Sequence, residues 1–155
     1  SGSCAQQAEM FMAIAAGAIG QGVRIFVGYN GSAKAGEMEA PRRPHRSYAR
    51  AKAWVQEQVD RLYSLPEWSF REFVEETRPK TLVIFGDWDG IDQYQDVVHD
   101  PKFRSVKFFW FANEGIGSWR AEQAGSQVPE GWTRKNYFPG IYTPQDLVRA
   151  LRRLR

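Results

Sequence analysis

Three stretches of the chain carry residues whose types and spacing could do chemistry. In Asn113-Glu114-Gly115-Ile116-Gly117-Ser118-Trp119-Arg120-Ala121-Glu122-Gln123-Ala124 a glycine-containing turn leads into a predicted helix bearing a glutamate. In Asp87-Trp88-Asp89-Gly90 two acids stand at alternate loop positions, a spacing that can hold Mg²⁺ between carboxylate oxygens, and Asp92 and Asp96 add negative charge beside them. Gly28-Tyr29-Asn30-Gly31-Ser32 is the third, where glycines let backbone N–H groups approach a phosphate or a ribose. Each has an ordinary reading too: glycines after a strand make turns, and Asp87 and Asp92 serve as turn residues and helix caps. His45 and His99 lie far apart in sequence and lack the ligand spacing of a zinc site.

The elements that must position these residues follow from periodicity. Residues Ala5 to Ile19 are rich in Ala, Met and Ile without strand-like alternation, which predicts a buried helix within 1–22 that ends at Gly20 and Gly22. The β-branched and aromatic run Val23 to Tyr29 predicts a first strand, turned sharply at Asn30-Gly31-Ser32, and 33–46 reads as a mobile loop. Tyr48, Ala51, Val55, Val59 and Leu62 recur at spacings of three and four, predicting a helix over Ser47 to Leu65, and a shorter one follows over Ser69 to Thr77. Thr81-Leu82-Val83-Ile84-Phe85-Gly86 is apolar on both faces, as central parallel strands are, and Ser105 to Phe111 makes a third strand. Between them Gln93 to His99 forms a short helix. Ser118 to Ala124 is another short helix, Tyr137 to Tyr142 an extended piece, and Thr143 caps a last helix with Pro144 at its first position. Helices alternating with short hydrophobic strands predict crossover units, and so a single α/β domain over 1–155: a Rossmann-like, mostly parallel sheet of three to five strands flanked by helices. Ligands of such sheets gather beyond the carboxyl ends of the strands, where all three stretches lie.

Composition bounds the rest. A chain of 155 residues with 43% apolar and 14% aromatic side chains can bury a core of its own, which argues against a disordered chain. One cysteine, Cys4, excludes an internal disulfide framework and any cysteine-based zinc site, and favours the cytoplasm. The longest apolar stretch, Met10 to Ile19, is about half of the ~20 residues a membrane span needs, so no membrane partner is expected. With 21 basic and 18 acidic residues the net charge is only +3, which gives no general affinity for nucleic acid. Two basic clusters stand out, Arg42, Arg43, Arg46, Arg50 and Lys52, and Arg149, Arg152, Arg153 and Arg155; with acidic residues near the first and a helix end under the second, both read as solvated faces.

The segment from Gly115 to Glu122, with the first strand Arg24-Ile25-Phe26-Val27-Gly28-Tyr29, resembles two related groups. TIR domains carry a Ser-Trp pair shortly before a helical glutamate after the third strand, and nucleoside deoxyribosyltransferase-like folds carry a Gly-rich turn before theirs. The resemblance implies a flavodoxin-like or TIR-like sheet and a glutamate that assists cleavage of an N-glycosidic bond. On that reading Glu122 is the catalytic carboxylate, Trp119 stacks on the base, and Gly28, Tyr29, Asn30, Ser32, Asp87, Asp89, Gly117 and Ser118 contact a nucleotide or NAD-like substrate. The chain departs from TIR domains in the longer interval between its first two strands and in Arg120, where they commonly carry cysteine. Asp87-Trp88-Asp89-Gly90 is also similar to the Asp-x-Asp-Gly of haloacid dehalogenase-class phosphatases, whose downstream lysine and acids find no convincing counterpart here. The expectation is therefore a nucleotide-binding domain that hydrolyses or transfers at an N-glycosidic bond, with Mg²⁺ at Asp87 and Asp89 as the one candidate metal. The alternative is a non-catalytic module, binding a protein partner, a second copy of the chain or, less favoured, nucleic acid through its aromatic and basic surface.

Overall fold

The computed structural model describes residues 11, 22–29, 31–43, 45–86, 90–112, 128–129 and 131–153. In chain order these form β1 (Phe26–Tyr29), β2 (Ser32–Glu37), α1 (Tyr48–Tyr63), β3 (Glu67–Ser69), α2 (Phe70–Thr77), β4 (Thr81–Gly86), α3 (Ile91–Val98), a 3₁₀ turn (Pro101–Phe103), β5 (Lys107–Ala112), β6 (Tyr137–Phe138) and α4 (Pro144–Arg152). Of the predicted first helix only Phe11 is described, and it is helical; the predicted helix at Ser118 to Ala124 lies outside the described residues.

The strands make two sheets rather than one. β4, β5 and β6 run parallel, with β5 in the middle and an unbroken six-pair register between β4 and β5 from Thr81↔Lys107 to Gly86↔Ala112. β1, β2 and β3 form a separate antiparallel sheet with β2 in the middle. This corrects the expected Rossmann-like, mostly parallel sheet: the first strand does not lie beside β4 but folds back on itself as a hairpin. The reason is local. Tyr29 pairs with Ser32 across a two-residue connection whose sequence is Asn-Gly, the pair that hairpin turns prefer, and Gly31 takes the positive φ of 84° that such turns require. β2 takes in residues 33–37 of the expected mobile loop together with Ser32 of the expected turn, and it is held as a strand by partners on both sides.

Period-two alternation divides the parallel sheet into two covered faces, as parallel strands need. Leu82, Ile84, Phe108, Trp110, Ala112 and Tyr137 face the main core, where Phe70, Phe73 and Val74 of α2 and Tyr94 and Val97 of α3 meet them. Val83, Phe109, Phe111 and Phe138 face the other way, onto Leu147 and Ala150 of α4, Ile141 and Phe11. The hairpin sheet shares the main core through Phe26, Ala33 and Trp68, and packs Val27 and Met38 onto Val55 and Leu62 of α1 on its other side.

Trp110 is the centre of this arrangement. Its side chain is fully buried, with the rings of Tyr94, Trp132 and Tyr137 each 5.3 Å away, and its Nε1–H donates to the carbonyl of Gly86 at 3.3 Å. The helix starts are fixed by sequence. Ser69 and Glu72 form a capping box on α2, and Thr143 and Asp146 form another on α4, with Pro144 in the first turn as expected. In both boxes the acid's pKa is held below the ordinary carboxylate value: backbone N–H donation from Ser69 is the main cause at Glu72, and the Thr143 hydroxyl is the main cause at Asp146.

Two substitutions measure these contributions by urea unfolding. Trp110→Ala is expected to lower the unfolding free energy by about 3–5 kcal/mol, since it empties a large aromatic site. Thr143→Ala is expected to cost about 1 kcal/mol, the usual cost of a lost N-cap. A Trp110→Ala cost below that of Thr143→Ala contradicts the central placement of Trp110.

Candidate functional site

The parallel register ends level, at Gly86 beside Ala112, so segments 87–89 and 113–127 leave from one edge of the sheet. The hairpin tip comes to that same edge. Gly31 lies against the first turn of α3, where a methyl group on Gly31 would stand 3.0 Å from the Gln93 side chain. Gly90, the N-cap of α3, is closer still: a methyl group there would lie 2.7 Å from the Gly31 nitrogen and 2.7 Å from the Tyr94 hydroxyl. The Gly28–Ser32 stretch thus meets Gly90, the end of the Asp87–Gly90 stretch, although it arrives as a hairpin from another sheet and not as a neighbouring parallel strand; the Asn113–Ala124 stretch lies outside the described residues.

On the hairpin side the tip is tied by side chains. The Ser32 hydroxyl donates to the Tyr29 carbonyl at 2.7 Å and lies 3.3 Å from Glu67 Oε2. Two residues on, Lys34 lies on the face opposite Ala33 and its side chain is only 8% exposed. Its ammonium pairs with Glu67 Oε1 at 2.9 Å, donates to the Leu65 carbonyl at 3.3 Å, and sits 5.9 Å and 5.3 Å from the ring centres of Tyr29 and Tyr63. A buried ammonium is costly unless paired, so Glu67, the Leu65 carbonyl and the two aromatic faces are what make this position tolerable. The hydrogen bond from Lys34 is the main cause holding the Glu67 carboxyl below its ordinary pKa, and the Ser32 hydroxyl assists. Glu67 is therefore a carboxylate at neutral pH and suits anchoring rather than proton donation.

Of the residues singled out in the sequence, Tyr29 and Ser32 stand at the hairpin tip, Tyr29 being 41% exposed. Gly28 pairs with Ala33, and a side chain on it would run into the Ser32 carbonyl, so its smallness serves the strand pair. Asn30, Asp87, Asp89, Gly117, Ser118, Trp119 and Glu122 lie outside the described residues. Among the described residues no group of three or more His, Cys, Asp or Glu could hold a metal ion. None of the described helices is long and apolar enough to cross a membrane. Lys34 and Glu67 were not foreseen, since Lys34 fell in a segment read as loop. No known protein family, curated protein or solved structure matches the chain.

Two outcomes test this geometry. Gly90 has φ −97°, open to any residue, so Gly90→Ala is expected to lose about 1–3 kcal/mol purely from overpacking against Gly31 and Tyr94. A neutral result in urea unfolding contradicts the contact. A carboxyl whose folded pKa lies below its unfolded value adds stability above that value, near 4.5, and loses it as pH falls through the folded one. Glu67→Gln should therefore be less stable than the parent at pH 7, and its unfolding free energy should fall less steeply below pH ~4.5. Parallel acid profiles for the two proteins contradict the Lys34–Glu67 pairing.

Proposed function

We propose that the chain is a nucleotide-binding α/β domain whose ligand sits at the shared edge beyond β4 and β5, and that it cleaves the N-glycosidic bond of a nucleotide or NAD-like substrate. The observation that carries the reading is the meeting of the hairpin tip with the start of α3, beside strand ends at Gly86 and Ala112 that the sequence continues directly into Asp87-x-Asp89 and, five residues on, the Gly117-Ser118-Trp119-x-x-Glu122 motif. A helix start and glycine backbone suit a phosphate, and a strand-end edge is where parallel sheets collect ligands.

In this reading Glu122 accepts a hydrogen bond from a ribose hydroxyl and stabilises the positive charge that grows on the sugar as its C–N bond breaks. The base departs with the bonding electron pair: an uncharged nucleobase takes up a proton as it leaves, whereas a cationic nicotinamide leaves neutral and the proton given up by the attacking water passes to solvent. Water, or an acceptor hydroxyl in a transfer, forms the new bond to the anomeric carbon and gives up a proton, so atoms and charge balance. Trp119 stacks on the leaving base, Tyr29, Asn30, Ser32, Gly117 and Ser118 line the sugar and phosphate, and Gly28 leaves the hairpin backbone close to them. Asp87 and Asp89 would hold Mg²⁺ against the phosphates, a role that fits the hard oxygen donors that ion takes.

Chromatography of NAD⁺ and a panel of nucleotides and nucleosides, after incubation with the protein and with its Glu122→Gln variant, tests the proposal. The expected result is release of a free base by the parent, reduced about a hundredfold or more in the variant. Equal release by both removes Glu122 from the mechanism, and no release from any compound by the parent overturns the activity.

A further inference from the structure

From Ala40 to Gln56 the sequence contains no acidic residue and five basic ones. The structure shows what becomes of them. Arg42, Arg43, Arg46 and Arg50 are all exposed, and none has an ion-pair partner among the described residues. By contrast, Arg24 pairs with Glu37, Arg71 with Asp100, Lys102 with Glu75 and Arg149 with Asp146. Glu39, the nearest carboxylate before the patch, lies 3.6 Å from Arg61 instead.

Position makes this charge harder to explain as mere solubility. The patch surrounds the start of α1, with Arg46 just before the Ser47 cap and Arg50 in the first turn, and that turn holds no acidic residue. A helix start is already the positive end of the peptide dipoles, where carboxylates stabilise and cations oppose the helix. The arginines are held against this preference, so an anion bound there would relieve both their mutual repulsion and their conflict with the dipole. Among them stands Tyr48, 57% exposed.

We propose that Arg42, Arg43, Arg46, Arg50 and Tyr48 form a docking surface for single-stranded nucleic acid, a function separate from the glycosidic site. Guanidinium forks match the geometry of phosphate oxygens and contact them in pairs. An exposed tyrosine between such cations offers a face on which an unpaired base stacks, the combination that binds single strands without sequence preference. A lipid surface would call for an apolar wedge beside the charge, and the exposed residues from 46 to 50 are Arg, Ser, Tyr, Ala and Arg.

The test is fluorescence anisotropy with a labelled oligothymidine of about 15 nucleotides, across a salt series from about 50 to 200 mM. Four phosphate contacts on a single strand predict a slope of about −3 for log affinity against log salt. Replacing Arg42, Arg43, Arg46 and Arg50 together by Gln should weaken binding about tenfold or more and flatten that slope. A charge-matched control with Arg104, Arg134, Arg149 and Arg152 replaced by Gln should stay within about threefold of the parent. Circular dichroism melts establish that each variant is folded, and Tyr48→Ala should weaken binding while leaving the salt slope unchanged. The proposal is overturned if the parent fails to bind at the lowest salt, or if both quadruple variants lose affinity equally. It is also overturned if polyglutamate, or vesicles of phosphatidylserine, compete as well as unlabelled oligothymidine at equal charge.

Discussion

The approach of Gly31 to Gly90 is the contact on which the arrangement of the two sheets depends. β1 pairs antiparallel with β2 and β4 pairs parallel with β5, and neither pairing by itself says how the two sheets meet. They meet in the main core, through Phe26, Ala33 and Trp68, and at the strand ends, where two residues without side chains let the hairpin tip reach the start of α3. Tyr94 then carries the contact inward, its ring edge-on to Phe70 at 4.9 Å and to Trp110 at 5.3 Å. The same aromatic chain that fills the main core therefore sets the height of the hairpin above the strand ends.

The rest of the molecule secures each side of that contact. Beneath the hairpin, α1 supplies Val55 and Leu62, while the Lys34–Glu67 pair joins β2 to β3 and Lys34 also donates to the Leu65 carbonyl just beyond α1. Beneath α3, Arg71 of α2 donates to Asp100 at 2.6 Å and to the Asp96 carbonyl at 3.3 Å, tying the two helices that cover the main-core face of the parallel sheet. The Arg71 guanidinium is the first cause of the lowered Asp100 pKa, so this tie weakens only under acid. Both sides thus rest on one ion pair with a hydrogen bond to a carbonyl beside it.

How much of this could be read beforehand divides along physical lines. β4 coincides with the run Thr81 to Gly86 because its apolar residues pack on both faces of the sheet, Ile84 into the main core and Val83 the other way, although it is an edge strand beside β5 and not the central one expected, and α4 begins at Thr143 and Pro144 because caps are local chemistry. β2 was not legible: Ser-Ala-Lys-Ala-Gly-Glu has no β-branched or aromatic residue, and its strand form is imposed by neighbours on both sides. The Asn-Gly turn was visible, and weighing it as a hairpin rather than as a strand end would have argued against placing the first strand in the expected mostly parallel sheet. Burial of Lys34 depends on Glu67 and Tyr63, which are distant in sequence, so no local pattern announces it. In the same way the arginine patch was legible as composition, whereas its lack of ion-pair partners among the described residues emerges only once Glu39 is seen beside Arg61.

The most direct test of the account is a nuclear Overhauser measurement on isotope-labelled protein, between the Gly90 α-protons and the Gly31 amide proton. With the missing Cβ of Gly90 directed to 2.7 Å from the Gly31 nitrogen, one of those α-protons must lie close to that amide, and a strong cross-peak is predicted. Its absence from spectra in which both residues are assigned and the β1–β2 cross-strand peaks are present would contradict the docking of the hairpin on the strand ends.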